Sequence, residues 1–190
     1  INGNQRVINA RLEDARFFWE KDSSDNFSDK TIGLKRVVFH NKLGSVYEKI
    51  IRLSELALTF KNELNMNEDN YLNLKDSITV CKNDLVSEAV REFPVLQGTM
   101  GYYYANKSGL NKAIGLAIRD HYKPYGPSDR CPSTNISQML AVLDKVDTIV
   151  GFFLINAAPS SSKDPFALRR AGLGIIRILS EGKYKLNLSK

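Results

Sequence analysis

The sequence has few of the residue types from which most enzyme sites are built. Its 190 residues include only two histidines and two cysteines. A cage of several histidines around a metal ion is therefore excluded, and so is a zinc site of the cysteine type. The sequence shows no glycine-rich phosphate loop after a strand, no Walker pattern and no G-x-S-x-G elbow. A Ser-His-Asp triad has no local signature here, although all three residue types are present.

Long apolar runs are also missing. No stretch approaches the ~18 uninterrupted apolar residues of a membrane span, and the first residues, INGNQRVINA, lack the apolar region of a signal peptide. Cys81 and Cys131 could pair as one disulfide, but two unclustered cysteines fit a reducing cytosol better. We therefore expect a cytoplasmic protein with no membrane partner. Because the chain lacks an initiator Met, we also expect it to be a piece of a longer protein.

The composition predicts a folded and basic domain. Hydrophobic residues make up 43% of the chain, which is enough to build a core and excludes a disordered tail. The length corresponds to one domain, or at most two small ones. The formal net charge is +6. Such a charge mildly favours a polyanionic partner, and a solvated basic surface is an equal alternative.

Helical periodicity dominates the chain, with no alternation of strands and helices. Ser45 and Glu48 form a capping box before an apolar stripe at Val46, Ile50, Leu53, Ala57 and Phe60. Asp164 and Pro165 have the N-cap and N1 pattern of a last helix that Gly182 closes. Residues 34–39 could be a strand or a helical turn, and 123–134 form a long loop. We predict an all-α bundle of seven or eight helices, a single helical domain over 1–190 with an alternative sub-boundary near 157–164.

Three aspartates, Asp84, Asp144 and Asp147, lie in or beside apolar helical faces. A buried carboxylate needs a cation or several hydrogen-bond donors. A metal ion is one interpretation. An Asp that accepts a backbone or Arg hydrogen bond inside the bundle is the simpler one, because histidines are few.

The last helix and a run of tyrosines suggest contacts to a nucleic acid. Lys163, Arg170 and Arg177 could form a phosphate-binding face at a helix N-terminus, although ordinary solvated or salt-bridged arginines are the slightly favoured explanation. The glycines at 172 and 174 predict close packing against another helix. The three consecutive tyrosines at 102–104 could stack on bases, but at least one is expected in the core.

Several strings together carry a resemblance that extends in order over nearly the whole chain. They are NGNQRVINARLEDARFFWEKD, FHNKLGSVYEKIIRL, KNDLVSEAVREFPVLQGTMGYYYA, LDKVDTIVGFF and SKDPFALRRAGLGIIRIL. They resemble the β-subunit family of the bacterial α2β2 glycyl-tRNA synthetases, with EFPVLQGTMG and SKDPFALRR the most specific. The resemblance implies an internal portion of a longer β subunit whose partners are the α subunit and tRNA(Gly), not DNA. ATP and Mg²⁺ would act on the α subunit, so no cofactor is expected in this chain.

The resemblance also implies a helical domain of the HD type, the fold of metal-dependent phosphohydrolases. In that pattern His40 would be the isolated histidine and Asn83–Asp84 the His-Asp pair. His121 would be the later histidine and Asp144 the final aspartate. Because Asn83 stands where the defining histidine belongs, the resemblance implies a degenerate site, and we expect no metal.

Three hypotheses follow from these observations. The first is a non-catalytic module that positions tRNA through basic residues; its candidates are Lys163, Arg169, Arg170 and Arg177. The second is a residual metal-dependent phosphohydrolase. The third is a scaffold that only holds neighbouring domains together. For the scaffold, reversing the charges of Arg170 and Arg177 would leave the affinity for tRNA unchanged.

Overall fold

The computed structural model describes residues 2–63 and 66–184, except for the side chains of residues 2, 3 and 63. The remaining residues of the predicted 1–190 domain lie outside the described ranges. The helices in order are α1 (Asn2–Asp22), α2 (Val46–Glu63), α3 (Glu68–Val80), α4 (Glu88–Glu92), α5 (Thr99–Lys107), α6 (Lys112–Asp120), α7 (Asn135–Leu154) and α8 (Leu168–Glu181). Short 3-10 helices span Phe27–Arg36, Asn83–Val86 and Pro94–Leu96. The predicted all-α bundle is confirmed.

A small hairpin interrupts the helices. Strands β1 (Val38–His40) and β2 (Gly44–Ser45) pair antiparallel and are the only strands in the described ranges. Residues 34–39, which the sequence left open, therefore contain the end of a 3-10 helix and the start of β1. The predicted capping box is confirmed, because the Ser45 N–H and hydroxyl donate to Glu48 Oε2 at 2.6 Å and 2.8 Å. This box starts α2 directly after the hairpin.

The core lies where α2, α3, α6 and α7 meet. Its fully buried side chains include Leu53, Leu74, Ile118, Leu140 and Leu143. The ring of Tyr104 is buried there and stacks on Trp19 with 5.3 Å between ring centroids, whereas Tyr103 is half exposed. The prediction that at least one tyrosine of the run is a core residue is thus confirmed.

The start of α8 differs from the prediction. Pro165 is not the first helical residue, because α8 begins at Leu168 after Ala167, whose φ is 54°. Asp164 still caps the helix from a greater distance along the chain. Its carboxylate accepts the N–H groups of Leu168 at 2.8 Å and Arg169 at 3.0 Å. A side chain that reaches four and five residues forward replaces the usual N-cap geometry.

The two glycines of α8 differ in how closely the neighbouring helix approaches them. A Cβ on Gly174 would lie 3.1 Å from Cε of Lys145 on α7, so the predicted close approach occurs there. A Cβ on Gly172 would meet only Cδ1 of Ile149, at 4.0 Å, which is ordinary contact. Cys81 and Cys131 are both free thiols. No helix in the described ranges is long and apolar enough to cross a membrane.

Candidate functional site

Two buried lysines share one carboxylate at the centre of the bundle. Nζ of Lys82, just after α3, lies 3.0 Å from Oδ1 of Asp144 on α7. Nζ of Lys49 on α2 lies 3.5 Å from the same oxygen. The two lysine side chains are only 6% and 3% exposed. Ammonium groups this deeply buried are stable only with a charged partner, so Asp144 joins α2, α3 and α7.

His121, directly after α6, completes this cluster. Its Nε2 lies 2.8 Å from Nζ of Lys82, and its Nδ1 lies 2.7 Å from the carbonyl oxygen of Ile118. An ammonium can only donate, so Nε2 carries the lone pair and Nδ1 carries the proton. Burial, together with the nearby Lys82 charge, lowers the pKa of His121 well below its ordinary value. The imidazole is therefore neutral at physiological pH.

The third face of the Lys82 ammonium is covered by an aromatic ring. Nζ lies 3.9 Å from the ring centroid of Tyr122, a cation–π distance. Burial raises the pKa of the Tyr122 hydroxyl well above its ordinary value, so the phenol is neutral. The ammonium of Lys82 is thus held by a carboxylate, an imidazole nitrogen and a ring face.

Asp147 lies one turn further along α7 and binds a second pair of cations. Nζ of Lys49 donates to its Oδ2 at 2.9 Å. Arg52 donates through Nε to Oδ1 at 2.6 Å and through Nη2 to Oδ2 at 3.1 Å. The interpretation that an Asp in the apolar face accepts an Arg hydrogen bond inside the bundle is confirmed for Asp147. This bidentate pair ties α2 to α7.

The ionisation of Asp144 is set by its neighbours. Burial alone would raise the pKa of this carboxyl, but the positive charges of Lys49 and Lys82 outweigh burial and hold the pKa well below its usual range. Lys145 follows Asp144 on α7, but its side chain points toward the backbone after α6. Its Nζ donates to the carbonyls of His121, Tyr122 and Lys123 at 3.2 Å, 3.3 Å and 2.7 Å, which fixes the chain after α6.

Asp84 has a different role from Asp144. Its Oδ2 accepts the N–H of Gly98 at 2.6 Å and so holds the turn that leads into α5. Burial raises the pKa of this carboxyl to about 6, although the N–H of Gly98 and the charge of Lys82 act in the opposite direction. Oδ1 of Asp84 is buried without a hydrogen-bond partner among the described residues.

The structure brings together only two of the five residues assigned to the HD pattern. His121 and Asp144 meet through Lys82, as described above. Asn83 turns away and donates to the carbonyl of Phe27 and to Oγ1 of Thr31, both at 2.9 Å. His40 lies in β1 with its ring edge against Phe152 and accepts the N–H of Lys42 on Nδ1 at 3.2 Å. None of these contacts of Asn83 and His40 involves the side chains of Lys82, Asp144 or His121.

The centre does not fit a divalent metal ion. The lone pair on Nε2 of His121 already faces the Lys82 ammonium, and Oδ1 of Asp144 is ion-paired with the same ammonium. Among the described residues, no three His, Cys, Asp or Glu side chains are arranged to hold a metal. A cavity of about 200 Å³ adjoins the cluster and is lined by Lys49, Lys82, Asp144 and Tyr122, among others. Its chemistry is that of buried ammonium groups, not of a carboxylate cage.

The basic residues around α8 fall into two groups. Arg177 binds the 123–134 loop, donating to the carbonyls of Gly126, Pro127 and Asp129 at 3.3 Å, 3.1 Å and 3.0 Å. Arg169 is exposed and donates to the carbonyl of Ser160. The other two candidates extend into solvent.

Lys163 and Arg170 are both exposed, and their side chains form no hydrogen bond or ion pair with another described residue. Unlike these two side chains, the backbone donors at the start of α8 are partly occupied. The N–H groups of Leu168 and Arg169 donate to the carboxylate of Asp164. Two of the backbone donors that could bind a phosphate at this end of α8 are therefore already occupied.

A sequence profile of the family described as "Glycyl-tRNA synthetase beta subunit" matches residues 1–190. The chain belongs to this family. The β-subunit relatives include the glycine–tRNA ligase beta subunit of Rickettsia akari, 47% identical over 194 residues, which covers 100% of this chain and 27% of that protein. The corresponding protein of Phenylobacterium zucineum is 44% identical over 188 residues, covering 99% of this chain and 28% of the relative.

The family match confirms the resemblance found in the sequence strings. The chain spans only 27–28% of the length of these β-subunit relatives.

Proposed function

We propose that this chain is a non-catalytic, tRNA-positioning part of the β subunit of an α2β2 glycyl-tRNA synthetase. The observation that carries the proposal is the family match over all 190 residues. The complete enzyme would attach glycine to tRNA(Gly) in the cytoplasm at the expense of ATP. ATP and Mg²⁺ would act on the α subunit, and this chain would hold no cofactor of its own.

The buried centre supports a non-catalytic role. A metal-dependent phosphohydrolase needs ligands that can bind an ion and an open position for water. Here the imidazole of His121 and the carboxylate of Asp144 face the ammonium of Lys82 instead. Cleavage of phosphomonoesters with added Mn²⁺, lost in an Asp84→Ala variant, would favour the hydrolase hypothesis.

The exposed cations near α8 support the tRNA-positioning role. Lys163 comes just before the Asp164 cap in the chain and Arg170 just after it, and both side chains are exposed, as is that of Arg169. Cations that are not already paired within the protein are available for backbone phosphates, and such contacts release counterions. Arg177 is less suited to this role because its guanidinium already binds three loop carbonyls.

The test is tRNA(Gly) binding by the full-length α2β2 protein over a series of salt concentrations. A Lys163→Glu/Arg170→Glu variant should lose about tenfold or more in affinity, and its salt dependence should weaken by about 1–2 units of slope. Lys75→Glu, a charge reversal at an exposed residue of α3, is the matched control. Equal affinities for the double variant and the control would contradict the proposal and favour the scaffold hypothesis.

A further inference from the structure

We propose that the ammonium of Lys82 is a built-in cation that takes the place of a metal ion between His121 and Asp144. The inference concerns the buried centre alone and does not depend on tRNA binding. It assigns a role to a residue that neither the HD pattern nor the charge pattern of the sequence singles out.

The geometry around Nζ of Lys82 is that of a cation site. Two acceptor atoms lie close to it, Nε2 of His121 at 2.8 Å and, as an ion pair, Oδ1 of Asp144 at 3.0 Å. The other ring nitrogen of His121 donates to the carbonyl of Ile118 at 2.7 Å. A backbone acceptor of this kind orients metal-binding histidines, because it fixes the tautomer that leaves Nε2 unprotonated.

The burial of these groups makes a cation at this point necessary. His121 is completely buried, and the Asp144 side chain is 13% exposed. Without Lys82, Nε2 of His121 would have no donor, and Asp144 would keep only the longer contact to Lys49 at 3.5 Å. Unpaired buried acceptors are strongly unfavourable. Loss of the ammonium therefore favours the binding of another cation between these two acceptors.

The cavity beside the cluster provides room for one. Its volume is about 200 Å³, and Lys82 and Asp144 form part of its wall. Shortening residue 82 would enlarge the cavity between these two acceptors. A divalent ion with an imidazole and a carboxylate as ligands could complete its coordination with water.

The test uses the full-length β subunit with Lys82→Ala and Lys82→His substitutions. In equilibrium dialysis against Zn²⁺, each variant should bind about one ion per chain more than the unsubstituted protein. We expect affinity at least about tenfold tighter for the histidine variant, which adds a third ligand. Co²⁺ should give the visible absorption of a tetrahedral site in Lys82→His.

Two controls separate this site from others in the protein. Lys75→Ala removes an exposed lysine and should bind no more metal than the unsubstituted protein. Adding His121→Ala to either Lys82 variant should abolish the extra ion. Folded Lys82 variants that gain no metal, or gain it equally without His121, would overturn the inference. It would also be overturned if the variants stay unfolded both with and without Zn²⁺.

Discussion

The ammonium of Lys49 lies 2.9 Å from Oδ2 of Asp147, and the two side chains are 3% and 4% exposed. Arg52 binds both oxygens of the same carboxylate from the solvent side. One aspartate therefore binds cations from two positions of α2. Since removal of these ions from water is unfavourable, the junction of α2 with α7 depends on their remaining paired.

Replacement of Asp147 should expose this dependence. Asp147→Asn should lower the free energy of unfolding by about 3 kcal/mol, because the buried Lys49 loses its closest charged partner. Urea denaturation followed by circular dichroism measures the change. Arg16→Ala is the control, since Arg16 pairs with Glu20 at 3.8 Å with both side chains largely exposed. It should change stability by about 0.5 kcal/mol or less. Similar values for the two variants would contradict the prediction.

Two glycines in helices predict opposite responses to the same substitution. A Cβ on Gly101 would lie 2.6 Å from Cγ2 of Ile118 and 3.2 Å from Cγ of Asp84, so α5 and α6 would have to separate. Gly101→Ala should destabilise the fold by about 1–3 kcal/mol. Gly172→Ala has room and gains helix propensity, so it should stabilise by about 0.5–1 kcal/mol. Thermal unfolding of both variants checks the signs, and a shift in the same direction would show that the packing is described wrongly.

Asp84 should make stability depend on pH in an unusual direction. Burial raises the pKa of its carboxyl to about 6 in the folded protein, whereas an unfolded Asp titrates near ~4. The folded state therefore binds this proton more tightly, so the contribution of Asp84 falls as pH rises from about 4 to about 6 and is constant above.

The Asp84→Asn variant isolates this effect. Its amide oxygen can still accept the N–H of Gly98, but it does not titrate. Between pH 4 and 7 the variant should gain about 2–3 kcal/mol relative to the unsubstituted protein. Denaturant unfolding at several pH values measures the difference. Parallel profiles would mean that the folded and unfolded pKa values of Asp84 are equal.

Arg170 and Arg177 occupy one helix but should behave differently when truncated. Arg177→Ala removes the bonds to the carbonyls of Gly126, Pro127 and Asp129. Amide hydrogen exchange in residues 125–130 should therefore accelerate by about tenfold. Arg170→Ala should leave this loop unchanged, because its side chain bonds to no described residue. Equal exchange in the two variants would show that Arg177 does not hold the loop.

Much of the fold could be predicted because it depends on local patterns. The capping box at Ser45 and the apolar stripe that follows depend on residues three or four positions apart, and both occur as expected. The start of α8 was predicted three residues too early. Asp164 was assigned its usual N-cap position, but it reaches across a left-handed Ala167 to later N–H groups. A capping contact across a left-handed residue has no characteristic spacing in the sequence.

The candidate centre was harder to predict because its partners are far apart in sequence. Lys82 and Asp144 are 62 positions apart, and their pairing is set by how α3 ends against α7. Asn83 and His40 were assigned by position within a pattern, which does not report where their side chains point. Lys49 did leave a signal. It lies three residues after Val46 and four before Leu53, on the apolar stripe of α2, where a lysine requires a buried acid.

The central claim is that this chain positions tRNA and takes no part in glycine activation. The most direct measurement is steady-state kinetics of the α2β2 enzyme with Lys163→Glu/Arg170→Glu in the β subunit. We predict a raised KM for tRNA(Gly) in glycylation, with glycine-dependent ATP–pyrophosphate exchange unchanged. An equal loss of both activities, or no change in the KM for tRNA, would contradict the account.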